Sequence, residues 1–320
     1  MAEGRGVRAG RLAARLEPEF LVLAAAAAAR DAGVAWAAVV GGYVRNRFLG
    51  EAAADLDLVV PEAGAAVAGR IADALGGRVV PLSRWRQWLI FHPDRRVDVT
   101  EADDLEGDLF RRDFTVNAIA WRVLPPTYEL VDPLDGLGDL AAGRLRLCRP
   151  DALAADPARI VRAARLVASG LTPDRQLLTA ARASAGLLAD VPLDRVWREW
   201  RRLTCSERPL GGLGFLATTG ALDVWLGASG WAGEAVGRLE GAGRPVGDAA
   251  DASRAGVAAA MPLVGPQAVA RAILAGCPAP CPQWTDLARR LGCTSSEAAR
   301  AYRELHPGED GGPGAAVTGV

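Results

Sequence analysis

Lysine is absent from this sequence: all 37 basic residues are arginine, against 38 acidic ones. With the high alanine and glycine content, this points to a GC-rich coding bias, so some arginines stand in for lysine without a special role. The formal net charge of −1 excludes a polycation. Nucleic-acid binding would therefore need local basic patches. Histidine is nearly missing too. Only His92 and His306 occur, which excludes a His-Asp phosphohydrolase motif from the C-terminal half. The five cysteines are an odd number. Cys277 and Cys281 flank Pro-Ala-Pro, with Cys293 and His306 downstream, but no paired zinc-ligand spacing repeats, and reduced structural cysteines are the favoured reading. No apolar run is long enough to span a membrane. The stretch Leu21 to Ala29 is short, lies beside charged residues and reads as a buried helix. Arg5, Arg8 and Arg11 are followed by no apolar signal core. The expectation is a cytoplasmic protein without a membrane partner.

What is present is enough to fold. Half of the 320 residues are hydrophobic and 23% are charged, too apolar for general disorder. That length predicts two or more structural units. A helix is expected over 17–32 and a short strand from Trp36 to Val40. A glycine pair and a short helix over 43–49 follow, then a strand at Asp55 to Val60. Residues 64–75 suit a helix, and 78–82, 87–92 and 96–100 suit strands. A helical turn near 113–117 precedes strand candidates at 118–124 and 128–131. After residue 150 the pattern is helical, with Ile160, Val161, Ala164, Val167 and Ala168 on one face and further helices over 174–188, 194–204 and 210–219. Residues 307–320 are rich in glycine and proline and read as a flexible tail.

The first chemistry-bearing unit runs from Gly41-Gly42 to Asp57. Alternate residues of a strand share a face, so Asp55 and Asp57 present two carboxylates side by side. Two such charges repel unless a cation sits between them. Their hard oxygens suit Mg²⁺, which also takes phosphate oxygens. Gly41 and Gly42 let backbone N–H groups approach a triphosphate. Together these parts suit metal-assisted phosphoryl transfer. An isolated Asp-x-Asp would read as an exposed strand edge; its surroundings favour the site.

Those surroundings are GGYVRNRFLG followed by DLDLVV, which resembles the GGxVRDxLLG…DxDLV signature of the bacterial CCA-adding enzyme and poly(A) polymerase family. Asn46 stands where the family usually carries Asp; it keeps hydrogen bonding and loses the charge. Asp98, in Arg96-Val97-Asp98-Val99, would complete a carboxylate triad as a second-metal ligand or as the proton acceptor for the attacking hydroxyl. The stretch from Asp108 to Ala118 (DLFRRDFTVNA) resembles the family's DLxRRDFTxNA motif. Arg111 and Arg112 can neutralise phosphates. Asp113 and Asn117 can hold those arginines or a sugar hydroxyl, and the resemblance implies ribose contact. Asp132 to Leu140 resembles the DPxxGxxDL segment that links head and neck. Arg159, Arg162 and Arg165 form a basic helical face suited to phosphate. Asp156 and Arg159 match two positions of the EDxxR motif, whose aspartate and arginine read the incoming base in this family. Ala155 replaces the motif's glutamate. Asp194 to Trp200 resembles a later neck helix, with Arg195 and Arg198 as supports and the two tryptophans as core.

The resemblance spans residues 35–225. It implies an α+β fold: an N-terminal nucleotidyltransferase head with a small mixed sheet (17–147), then an all-helical neck that recognises the base (148–208) and a helical RNA-binding body (209–305), with a tail at 306–320. It implies addition of C and A to tRNA 3′ ends from CTP and ATP with two Mg²⁺ ions. Asp55, Asp57 and Asp98 would be catalytic, the first two as metal ligands. Gly41, Gly42, Arg45, Arg111, Arg112, Asp113, Asn117, Asp156, Arg159, Arg162 and Arg165 would bind nucleotide. Poly(A) synthesis, A-only or C-only addition, and an RNA-binding relative impaired in catalysis are the alternatives.

Overall fold

The structure, a computed structural model, describes residues 19–226 apart from 52, 54, 94, 125–127 and 207, and only the backbone of Ser83. The candidate zinc residues Cys277 and Cys281, most of the expected body and the tail lie outside the described residues. The chain divides into two compact units, residues 1–149 and 150–320. The fold is a mixed α/β head followed by helices, as the sequence implies.

The head is built on one seven-stranded sheet. Its strands are β1 (Ala38–Val40), β2 (Asp55–Val60), β3 (Arg78–Leu82), β4 (Gln87–His92), β5 (Arg95–Glu101), β6 (Ala120–Arg122) and β7 (Leu130–Val131). The order is β3-β4-β5-β2-β1-β6-β7. β2 and β5 run parallel, and the other neighbouring pairs run antiparallel. A parallel pair needs a crossover. Here it is supplied by the helix Gly64–Leu75 and the β3–β4 hairpin.

Alternation sorts the side chains of the central strands. Leu56, Leu58, Val60, Val97, Val99 and Val39 join one apolar core with the helices Phe20–Asp31 and Gly64–Leu75. The first helix buries Leu21, Val22, Ala25, Ala28 and Ala29, an i, i+1, i+4, i+7, i+8 stripe. Its alanine run pays almost no side-chain entropy on folding. Val59, Ala38, Val40, Ala118 and Ala120 point the other way, into a second cluster with Leu105 and Leu109. Each fully buried branched side chain contributes about 1.5–3 kcal/mol. Sliding β2 by one residue would bury Asp55 and Asp57 and expose Leu56 and Leu58, so the register of the carboxylates is fixed by the core.

Two local differences from the sequence expectation stand out. The helix Leu105–Phe110 is not foreshadowed; Asp104 caps it by accepting from the Glu106 and Gly107 amides. The expected turn at 113–117 is a short 3₁₀ turn over Thr115–Asn117. The second unit contains the helices Ala152–Ala155, Ala158–Ala168, Arg175–Ser184, Leu193–Thr204, Pro209–Thr218 and Ala221–Leu226, together with the two-residue strand Thr172–Pro173. Gly212 lets Pro209–Thr218 lie against the backbone of Ala158–Ala168, because a Cβ there would collide with the Ala164 carbonyl oxygen. Trp200 is fully buried and stacks obliquely on Trp225, with ring centroids 6.4 Å apart; Trp197 is half-buried. No helix among the described residues is long and apolar enough to cross a membrane.

Candidate active site

The face of β2 and β5 turned away from the main core carries the acids. The parallel register sets Asp57 directly beside Asp98 and Asp55 beside Arg96. Asp55 is exposed and Asp57 half-buried. Burial pushes the Asp57 carboxyl above its usual pKa; Arg112 pulls it down, and the negative charge of Asp98 adds to the upward push. Asp98 is gripped by Arg96 through both oxygens, at 2.7 Å from Nε to Oδ1 and 2.6 Å from Nη2 to Oδ2. The alternation expected of Arg96-Val97-Asp98-Val99 is present, with both valines in the core.

Gly41 closes this face. It adopts φ +73°, which only glycine enters at little cost. A Cβ there would lie 2.8 Å from Arg112 Nη1 and 3.2 Å from Asp57 Oδ2. The tight approach of loop, arginine and carboxylate thus needs glycine on both counts. Gly42 opens the helix Gly42–Leu49, whose next turn brings in Arg45.

Arg45 points inward and is 8% exposed. Its Nη1 donates to Asn117 Oδ1, while Nε and Nη2 donate to Asn46 Oδ1 at 3.1 and 2.8 Å. Asn46 therefore receives Arg45 as a neutral acceptor. Arg47 pairs instead with Glu19 at 2.6 Å. Asn117 in turn donates to Asp113 at 3.0 Å, and Asp113 also accepts from the Phe114 amide at 2.7 Å. Asn46, Arg45, Asn117 and Asp113 thus form one chain of hydrogen bonds that ties the Gly42–Leu49 helix to the 3₁₀ turn. Arg112 donates twice to Asp108, at 3.0 and 2.9 Å, and faces Asp57. Burial disfavours its charge, but Asp108 and Asp57 outweigh that and raise its pKa. Arg111 is exposed.

Sequence reasoning passed over Asp139, which is fully buried in the segment read as a turn. It accepts from Thr115 Oγ1 at 2.6 Å, Arg144 Nε at 2.7 Å and Arg146 Nε at 2.9 Å. Gly136 packs so closely that a Cβ would strike the Thr115 carbonyl. Asp132 caps the helix Gly136–Ala141 through the Gly136 and Leu137 amides.

In the second unit, Asp156 accepts from Arg195 at 2.9 Å and lies 3.7 Å from Arg159 Nε. Arg162 and Arg165 both turn to Glu199, at 3.1 and 3.2 Å. Glu199 is 6% exposed. Burial alone would raise its pKa, but the two arginines overcome that and lower it. The basic face read from the sequence is therefore matched by an acid from the helix Leu193–Thr204. Glu199 was not among the sequence candidates; an acid one turn after Arg195 on the arginine-rich, amphipathic helix Leu193–Thr204 was the available signal. Arg198 lies exposed beside Asp194.

Among the described residues, no three carboxylate, imidazole or thiol side chains converge as a metal cage. Asp55 and Asp57 form an open pair, with one carboxylate exposed and the other destabilised as an anion by its surroundings. Such an acceptor set fits a hard divalent ion that shares its shell with phosphate oxygens and water.

Residues 80–146 match the family described as the Poly A polymerase head domain. The chain is 34% identical over 207 residues to a multifunctional CCA protein of Xanthomonas campestris pv. campestris, covering 59% of this chain and 50% of that one. It is 39% identical over 198 residues to an A-adding tRNA nucleotidyltransferase of Deinococcus radiodurans, covering 59% of this chain and 45% of that one. The chain thus spans about half the length of the curated relatives it matches. Its fold is similar to that of a tRNA nucleotidyltransferase solved with a primer tRNA and an incoming ATP analog, with a TM-score of 0.72, 22% identity and coverage of 89% of this chain and 84% of that one.

Proposed function

Because this chain belongs to the bacterial CCA-adding enzyme and poly(A) polymerase family, we propose that it adds C and A to tRNA 3′ ends from CTP and ATP without a nucleic-acid template. One observation carries the reading: Asp55 and Asp57 share a face of β2, with Gly41 and Arg112 packed against Asp57. In this reaction the RNA 3′-hydroxyl attacks the α-phosphate and pyrophosphate leaves.

Asp55 and Asp57 would hold two Mg²⁺ ions, which when bound supply charge stabilisation for the phosphates and acidify the attacking hydroxyl. Gly41 and Gly42 keep side-chain bulk away from the backbone where a triphosphate approaches; the Gly41 amide itself donates to the Ile119 carbonyl oxygen at 3.2 Å. Arg112, kept cationic by Asp108 and Asp57, faces the developing phosphate charge. Arg111 is exposed and is assigned to a phosphate contact. Asn117 accepts from Arg45 and donates to Asp113, and both Asp113 and Asn117 are assigned to the ribose side of the nucleotide. Asp98 is assigned to the same catalytic face. Asp156 and Arg159 are assigned to the edge of the incoming base. Arg162 and Arg165 support them through Glu199.

Addition of A alone is the second reading, favoured by the 39% identity to an A-adding relative. Three tRNA transcripts, ending before CCA, after C and after CC, separate the readings when incubated with each nucleotide alone and with both. Stepwise addition of two C and one A supports the first reading. Extension only of the transcript ending in CC, and only by ATP, replaces it with the second. No extension of any transcript overturns both.

A further inference from the structure

Arg96 is the residue on the carboxylate face for which the proposed reaction has no task. Its position is imposed by β5: Val97 and Val99 are in the core, so Arg96 and Asp98 project together on the opposite face. The parallel register then seats Arg96 beside Asp55 and Asp98 beside Asp57. The guanidinium occupies both Asp98 oxygens in a fork-on-fork pair. Its carbon also lies 5.9 Å from the centre of the Phe91 ring, which belongs to the paired residue on β4. A cation over an aromatic face is attracted to it, so this arginine has a second resting contact apart from the acids. Asp98, Asp55 and Asp57 all act to keep Arg96 charged, against the cost of its partial burial.

We propose that Arg96 is a built-in counter-ion of the carboxylate face, and that a divalent metal held by Asp55 and Asp57 recruits Asp98 only by displacing it. Both are cations drawn to the same oxygens. An Asp98 oxygen that accepts a short guanidinium hydrogen bond is not available at the same time as a metal ligand or as an acceptor for the hydroxyl proton. Arg96 thus lowers metal affinity while it holds the acidic face together before the metal arrives. It is a positioning residue, acting through Asp98. The inference rests on the reading of Asp55 and Asp57 as metal ligands.

The test is binding of Mn²⁺ to the full chain, followed by the electron paramagnetic resonance signal of the free ion, for wild type, Arg96→Gln, Arg96→Lys and Asp55→Ala. Arg96→Gln is expected to bind Mn²⁺ about five- to tenfold more tightly, the lower range of typical coupling between two sites. Arg96→Lys keeps the charge and loses the fork, and should fall between. In chelator, Arg96→Gln should melt below wild type, and saturating Mn²⁺ should close that gap. Arg96→Gln and Arg96→Lys binding that equals wild type or is weaker, with wild-type binding still lost in Asp55→Ala, overturns the inference and leaves the metal reading intact. Wild-type binding unaffected by Asp55→Ala overturns both. Arg96→Lys keeps the comparison available if Arg96→Gln does not fold.

Discussion

The β2–β5 face of the head and the Glu199 cluster of the second unit treat their acids in opposite ways. On the β2–β5 face, three carboxylates meet two arginines, and the Asp57 carboxyl is pushed up by burial. In the second unit, Asp156 lies between Arg195 and Arg159, and Glu199 takes both Arg162 and Arg165, so its carboxyl is pushed down despite burial. The difference lies in the neighbours rather than the residue type. An acidic face left short of positive charge is poised for an external cation. An acid shared by two arginines is already neutralised and braces two helices. The first arrangement costs the fold and suits chemistry; the second stabilises the fold and positions side chains.

The sharpest way to break the comparison is Asp55→Ala. It should leave the circular dichroism spectrum unchanged and lower the rate of nucleotide addition by about a thousandfold or more, as loss of a preorganised electrostatic group does. Gly41→Ala comes next. It strains a left-handed position and drives a methyl group towards Arg112 and Asp57. Steady-state kinetics should show a loss of about a hundredfold in kcat/KM, with a stability cost of about 1–2 kcal/mol.

Glu199→Gln tests the other side. Removing the acid leaves two partly buried arginines facing each other, and should cost about 2–3 kcal/mol in urea denaturation, below the full figure for a buried pair because the arginines are partly exposed. The pH dependence has a definite sign. A lowered folded pKa means that the Glu199 contribution is present above its ordinary value of 4.5 and disappears as pH falls through the lower folded value. Wild type should therefore lose more stability than Glu199→Gln on acidification below about pH 4.5. Asp57→Asn gives the smallest effect and the opposite direction. A raised folded pKa means that the ionised carboxylate destabilises the metal-free fold, increasingly as pH rises through that folded value. Differential scanning calorimetry in chelator at neutral pH should show Asp57→Asn melting about 2–4 °C above wild type, the shift of roughly 1 kcal/mol in a domain of this size.

Much of the head was legible because its information is local. The alternation in DLDLVV and RVDV fixes which residues face the core, and the strands at 78–82 and 87–92 appear where their apolar runs place them. Gly41 was legible as a close-approach glycine. The helix Leu105–Phe110 was not, since six residues with a central glycine give a weak period. Nor was Asp139, which sits in the short glycine-containing helix Gly136–Ala141 but is neutralised by Arg144 and Arg146 and locked to Thr115, 24 residues earlier. The pairing of Arg162 and Arg165 with Glu199 spans 37 and 34 residues, beyond the reach of helical periodicity. Periodicity reports which face is polar; it does not report which acid will arrive there from another helix.

The central claim is that the open carboxylate pair of β2 drives nucleotidyl transfer. Its most direct test is pyrophosphate release by wild type and Asp55→Ala, with Mg²⁺, CTP and ATP, on a tRNA lacking its CCA end. Release by wild type, matched to RNA extension and lost in the variant, is the predicted result. Equal release by both proteins, or no release by a folded wild type, would contradict it.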